Sequence, residues 1–317
     1  MYDVQLLPTD EFGLIRRTAV LAEGWSDTAL GSAVRRGDLI LLAPGVSVRA
    51  DPWFTTDDGA DELYRLRGLA AVTSLRCGDG VVLSHQSAAA VHGIALLKPD
   101  RSLVHVTRDA RSGGGRRAER QVHAVALPDD DVVDLGRFRV TSLERTAVDV
   151  ATAGASFAQA LTVFDMALAR GASRETMAEM LGGRRNQGVR VARRALRFAT
   201  RLSESVGESW SRAQMITENL RLPVLQCTHV AEGHEYRSDF DWDCRLVGEF
   251  DGQIKYGRLL RPGEARDEAI TREKEREDRL RALGIMVVRW IWADLENNRM
   301  IPRVKYWLEN FHRLPTL

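Results

Sequence analysis

Carboxylates crowd the stretch EYRSDFDWDCRLVGEFDG, residues 235 to 252, at a spacing that suits a metal ion. Period-two alternation in EYRSDFDW places Arg237, Asp239 and Asp241 on one face of a strand and Tyr236, Phe240 and Trp242 on the other. RLVGEFDG alternates likewise, with Val247, Glu249 and Asp251 on one face and Leu246, Gly248 and Phe250 opposite. Nine residues lie between Asp239 and Glu249, the separation expected when neighbouring antiparallel strands each carry a carboxylate at the same level. Hard divalent cations such as magnesium or manganese take one or two carboxylates and keep several waters. Asp239 and Glu249 are therefore candidate ligands, with Asp251 beside them. A metal held there would activate water and stabilise charge on a phosphodiester during in-line displacement. A strand pair with solvent-facing acids, in a fold without chemistry, gives the same alternation.

The elements around these strands read in the order helix, strand, strand, helix, strand, from SESVGESWSRAQMITENLRLP to Asp294. In the first helix the apolar stripe Val206, Trp210, Ala213, Thr217 and Leu220 leaves Glu208 on the far side. In the second, from about Ala265 to Leu283, Ile270, Leu280 and Leu283 share a face with Glu273, Lys274 and Glu277. Burying those charges costs several kcal/mol unless they are paired or meet a ligand. The combination D-x9-E-x-D, a glutamate near the start of the preceding helix and the later R-x-x-x-L-G-I-x-V-V-R-W resembles the PD-(D/E)xK nuclease superfamily, in particular its very-short-patch-repair-like branch, over residues 203 to 295. The resemblance implies a restriction-endonuclease-like mixed sheet flanked by helices. It makes Asp239 the central metal ligand, Glu249 the second, and Glu208 the helix carboxylate, which with Asp251 completes the metal's shell or orients water. Asp251 stands where the motif carries lysine, and Lys255 or Lys274 are the cations that could replace it.

At the N-terminus, residues 14 to 22 read as a helix, Gly24 as a turn, and Ser26 as the N-cap of a second helix that stops at Gly37. DLILLAPGVSVRA follows as two strand-like runs joined by Pro44-Gly45, a wing. This pattern resembles the winged helix of AbiEi-type antitoxins from type IV toxin-antitoxin systems, over about 40 residues. The resemblance implies DNA as partner, with Thr28, Ser32, Arg35 and Arg36 of the second helix nearest the major groove. Winged helices also serve as protein contacts, and residues 1 to 54 hold five arginines against seven acids, so charge alone does not favour DNA.

Between Arg184 and Arg201 there are seven arginines and no acid; Arg190, Arg193, Arg194, Arg197 and Arg201 fall on one helical face, and Val189, Ala192, Ala195 and Ala199 on the other. Such a run is either a solvated surface or a phosphate contact, and the lack of paired acids points to phosphate. VVLSHQSAAAVHG reads as a strand running into a helix between Ser84 and Gly93, and Thr141 with Glu144 as a capping box. His85 and His92 share a helical face but lack a third ligand, so they read as packed or capping histidines. DARSGGGRRAER reads as a mobile basic loop without the Lys-Ser/Thr of a phosphate cradle.

At 317 residues, 44% hydrophobic and 28% charged, the chain has the composition of a folded multidomain protein. The expected class is α/β of the α+β multidomain kind: a winged helix over 1 to 54, a middle α/β domain over 55 to 202 and a nuclease-like domain over 203 to 317. No apolar run approaches a membrane span and the N-terminus lacks a signal core, so the expected address is the cytoplasm, with no membrane partner. Cys77, Cys227 and Cys244 lack paired C-x-x-C spacing and read as buried thiols. Two functions follow: a magnesium-dependent endonuclease in a defence or toxin-antitoxin setting, or a non-catalytic AbiEi-like repressor. Either could involve a cognate toxin or operon partner and a homodimer on two half-sites.

Overall fold

The N-terminal signals produce the elements they encode, with one addition. The computed structural model describes residues 3–74, 80–117, 119–185, 187–231, 233–252, 279–280 and 282–310. It opens with β1 (Ile15–Arg16), α1 (Arg17–Ala22), α2 (Asp27–Arg36), β2 (Leu39–Ala43) and β3 (Val46–Arg49). The Ser26 hydroxyl accepts the Ala29 amide and starts α2, which ends at Gly37. The addition is β1. The helix expected from residue 14 begins only at Arg17, because Ile15 and Arg16 extend alongside Ser47 and Val46. The sheet order β1-β3-β2, with α1 and α2 between its first two strands in sequence, is a winged helix.

Next come α3 (Asp57–Thr73), β4 (Val81–Leu83), α4 (His85–His92), β5 (Val104–Asp109), β6 (Gly115–Arg117), β7 (Arg120–Val125), β8 (Val132–Asp134), β9 (Arg139–Thr141) and α5 (Leu143–Thr152). The six strands form one sheet in the order β6-β7-β5-β4-β9-β8. The basic loop thus contains an edge strand, β6. Ser142, not Thr141, caps α5: its hydroxyl accepts the Arg145 amide, while Glu144 accepts from Ser173 and Thr141 bonds to Thr146. Leu14, Leu42, Val46 and Val48 of the winged helix pack in one core with Leu66 and Leu69 of α3 and Leu83, Val106 and Val140 of the six-stranded sheet. Residues 54 and 55 therefore do not divide two cores.

The chain then continues through α6 (Phe157–Ala169), α7 (Arg174–Gly183), α8 (Val189–Phe198) and α9 (Val206–Thr217). Strands β10 (Val224–Ala231), β11 (His234–Trp242), β12 (Leu246–Asp251) and β13 (Met286–Ile291) follow, then α10 (Trp292–Glu296) and α11 (Met300–Asn310). Two compact units result: Met1–Ala153 with Ala172–Arg184, and Gly154–Gly171 with Arg185–Leu317. The four-stranded sheet runs β10-β11-β12-β13, antiparallel except for the parallel β12–β13 step. It adds β10, a strand absent from the expected order. Helices and mixed sheets together make an α+β protein. No helix among the described residues is long and apolar enough to cross a membrane.

The arginine helix belongs to the second unit, not to a middle domain. Its buried side, Val189, Ala192, Ala195 and Leu196, faces inward, and α6 packs against both α8 and α9. A buried ion pair joins α6 to α9: Asp165, fully buried, accepts from Arg212 Nη1 at 2.8 Å, from the Ser209 hydroxyl at 2.8 Å and from the Thr200 amide at 2.7 Å. Burial nonetheless raises the Asp165 pKa above the usual carboxylate value.

Candidate functional site

The antiparallel register of β11 and β12 pairs Phe240 with Gly248, Asp241 with Val247 and Trp242 with Leu246. Beyond that pair, Asp239 and Glu249 are the next residues of the two strands. The two strands are tied there by a side chain: Asp239 Oδ2 accepts the Phe250 amide at 2.9 Å. Packing beneath β12 is tight enough to require glycine at two points. A Cβ on Gly248 would lie 2.4 Å from the Trp290 ring, and one on Gly207 would lie 1.9 Å from the Phe250 ring. The start of α9 is thereby pressed onto β12 at Phe250.

β11 does not alternate as its sequence suggests. Tyr236 packs with Val247, Leu280 and Ile285, whereas Phe240 and Trp242 join Met215, Leu246 and Trp290 in another cluster. The cause lies in the β10–β11 ladder, which omits the pair Gln226–Asp239, with Gln226 at φ 55°. Arg237, Asp239 and Asp241 consequently have separate surroundings. Arg237 pairs with Glu204, ahead of α9; Asp239 meets β12; Asp241 lies 3.1 Å from His229 Nε2 and accepts the Cys244 amide.

Glu249 is buried, and its Oε2 receives Arg289 Nε at 2.9 Å from the neighbouring parallel strand. This cation stands next to the carboxylate pair. Its signal was present in VVRW, where the parallel pairing puts Arg289 beside Glu249, but which strand lies next to β12 is a tertiary fact. Lys255 and Lys274, with the helix expected over 265 to 283 apart from its end, lie outside the described residues. Asp251 is half-buried at the end of β12.

Glu208 is buried, which corrects the expectation that it faces away from the core. A single apolar stripe presumes one buried side; α9 is covered on two, by the sheet and by α6. The Glu208 carboxylate accepts from the Ser205 hydroxyl at 2.7 Å, the Glu204 amide at 2.9 Å and Gln226 Nε2 at 3.0 Å. It serves the helix start as a capping group. Burial pushes its pKa up. Carboxylates on two adjacent strands, Asp239 and Glu249, are hard-oxygen donors of the kind that magnesium or manganese takes.

On α2, Thr28 and Arg35 are exposed and Ser32 half-exposed, three residues that share one helical face. Arg35 Nη2 donates to Ser32 Oγ at 2.8 Å. Arg36 is exposed but paired with Asp38 at 2.7 Å. On α8, Arg190, Arg193, Arg194 and Arg197 are all exposed, and the Arg194 guanidinium lies 4.4 Å from the Phe157 ring centroid. Arg201 is exposed too, yet it lies past the helix, whose last residue is Phe198. His92 bonds to the Thr141 carbonyl through Nε2, as a packed histidine. The thiol expectation is corrected: Cys244 is exposed and Cys227 half-buried, and Cys77 lies outside the described residues.

No protein-family model and no curated protein matches the chain. Among solved structures it is similar to that of the RV2827C protein from Mycobacterium tuberculosis, at 16% identity and a TM-score of 0.36, over 71% of this chain and 85% of that one. So low a score does not bear on function.

Proposed function

We propose that the chain is a magnesium- or manganese-dependent DNA endonuclease, with Asp239 and Glu249 as the metal-holding pair. The observation that supports this reading is that the two carboxylates follow the Phe240–Gly248 pair on adjacent strands, where Asp239 Oδ2 accepts the Phe250 amide. Asp251 orients water and Glu208 braces the start of α9. Arg289, with Lys255 or Lys274, offsets charge that develops on the phosphodiester. The exposed Thr28, Ser32 and Arg35 face of α2 reads the major groove, and the arginines of α8 hold phosphates. The resemblances noted in the sequence suggest phage defence or a toxin-antitoxin system as the setting.

The test is incubation of the full chain and of an Asp239→Ala/Glu249→Ala variant with plasmid and single-stranded DNA, in magnesium, manganese or EDTA. Cutting by the unaltered chain alone, dependent on metal, is the expected result. The Glu249–Arg289 ion pair favours a second reading, in which a guanidinium neutralises the carboxylate that a metal would need. The chain is then an AbiEi-like repressor. It shifts operator DNA without metal, the double variant binds as well as the unaltered chain, and Arg35→Ala abolishes the shift.

A further inference from the structure

We infer that His85, His105 and His123 form a binding site for a borderline transition-metal cation of the zinc, cobalt or nickel kind, separate from the Asp239–Glu249 pair. The sheet brings the three together from distant points in the sequence. β4 lies antiparallel to β5, with the Ser84 amide donating to the His105 carbonyl at 3.1 Å, so His85, first residue of α4, sits beside His105. β5 runs parallel to β7 and pairs Thr107 with His123. The rings of His85 and His123 stack with centroids 3.7 Å apart, and His105 Nδ1 lies 3.0 Å from His123 Nε2. One ring nitrogen from each residue falls within 4.8 Å of the other two.

Three features set this group apart from ordinary packed histidines. His85 is buried and holds a backbone φ of 52°, a left-handed conformation that is strained for a non-glycine residue and clusters at functional sites. Its Nδ1 lies 3.0 Å from the Ser84 hydroxyl, an arrangement that sets the ring's orientation and leaves Nε2 as the ligand atom. Thr107, next on the same face of β5 as His105, has a fully buried hydroxyl with no hydrogen-bond partner among the described residues.

The electrostatics suit a cation that needs neutral imidazole. Burial pushes the pKa of His85 down to about 3 and of His105 to about 4, and lowers that of His123 as well. Asp149, itself held by Arg145 and Arg184, acts on His85 and His123 as a fixed negative charge. Zinc–nitrogen bonds of about 2.0–2.1 Å place tetrahedral ligand atoms about 3.3 Å apart. The 3.0 Å between His105 Nδ1 and His123 Nε2 is close to that spacing, and all three ligand atoms lie within 4.8 Å of one another. Loading turns His123 out of its stack with His85, and the proton between His105 and His123 moves to the remaining ring nitrogen or to solvent. Three imidazoles on two strands and a helix start leave a fourth position for water, the pattern of an open zinc site.

A second cluster, His229, Asp241 and Cys244, carries a thiol, so the test uses the full chain with Cys244→Ser. In cobalt(II) titration the intense visible absorption of tetrahedral nitrogen coordination should saturate at one such ion per chain, apart from any weakly absorbing ion on oxygen ligands, with no thiolate charge-transfer band. Zinc should displace it. His105→Gln and His123→Gln should each weaken binding by roughly tenfold or more, and His92→Gln should leave it unchanged. Independently of any histidine substitution, X-ray absorption of the zinc-loaded Cys244→Ser chain should show imidazole scattering. A Cys244→Ser chain without the intense band, a band indifferent to both glutamine variants, or a zinc shell of oxygens without imidazole would overturn the site.

Discussion

At the scale of single residues, Glu249 and Arg289 face each other across the parallel β12–β13 step, and the carboxylate is the more buried of the two. Replacing Arg289 with methionine leaves that acid without its neighbouring cation. Stability should fall by about 1–3 kcal/mol, read as a shift in the urea midpoint at constant slope. In the nuclease reading DNA cleavage should also drop, by about a hundredfold, with DNA binding retained. The histidine cluster makes a second prediction. The folded-state pKa values of His85 and His105 lie below the unfolded value of about 6.5. Between pH 6.5 and about 4, then, the unfolded chain binds more protons and stability falls as pH falls, by up to about 1.4 kcal/mol per pH unit for each group. Denaturation midpoints measured from pH 7 to pH 5, above the usual carboxylate range, should fall in the unaltered chain and fall less in His105→Gln. No local pattern announces this cluster, because His105 and His123 are contributed by strands that meet only through the β5–β7 pairing. Asp239 and Glu249, by contrast, were legible, since a hairpin converts sequence spacing directly into register.

At the scale of elements, α8 displays its charge as its periodicity requires: apolar residues inward, arginines outward. Changing Arg190, Arg194 and Arg197 to glutamine should weaken binding to every duplex alike. If all three meet phosphates, the slope of log K against log salt should become shallower by about 2.7; a slope unchanged in fluorescence anisotropy titrations would mean that α8 is a solvated face. Arg35→Ala on α2 should instead lose discrimination between sequences. Arg36→Ala should matter less, because Asp38 already occupies that guanidinium. The same periodic reasoning failed on α9. Its sequence marks one apolar stripe, yet Ser209 and Arg212 are buried as well, because α6 covers the side that the sheet does not, while Ser211 is buried against Trp290 of the sheet. Polar residues on that second side are satisfied by Asp165 and by a backbone carbonyl, which a hydrophobic pattern does not register.

At the scale of the whole molecule, the second unit takes α6 and α8 from sequence that precedes residue 203. A fragment 203–317 should therefore not unfold cooperatively, since it leaves Arg212 without Asp165, and breaking a buried pair costs about 3–5 kcal/mol. A fragment 154–317 keeps the pair and should melt as a unit in far-ultraviolet circular dichroism. Equal behaviour of the two fragments would show that α6 and α8 are dispensable to the four-stranded sheet.

By itself the sequence determined the local and periodic features. These include the start and stop of α2, the wing hairpin, the amphipathic α8 and the antiparallel pairing of β11 with β12, because caps, turns and strand register act over a few residues. Tertiary structure decided what depends on neighbours far along the chain. It brought β13 with Arg289 beside Glu249, closed α6 over α9, shifted the alternation of β11 where its ladder with β10 skips a pair, and drew three histidines to one point. Each of those outcomes is chosen by packing and pairing between distant segments, where burial and hydrogen-bond satisfaction, not local propensity, set the geometry.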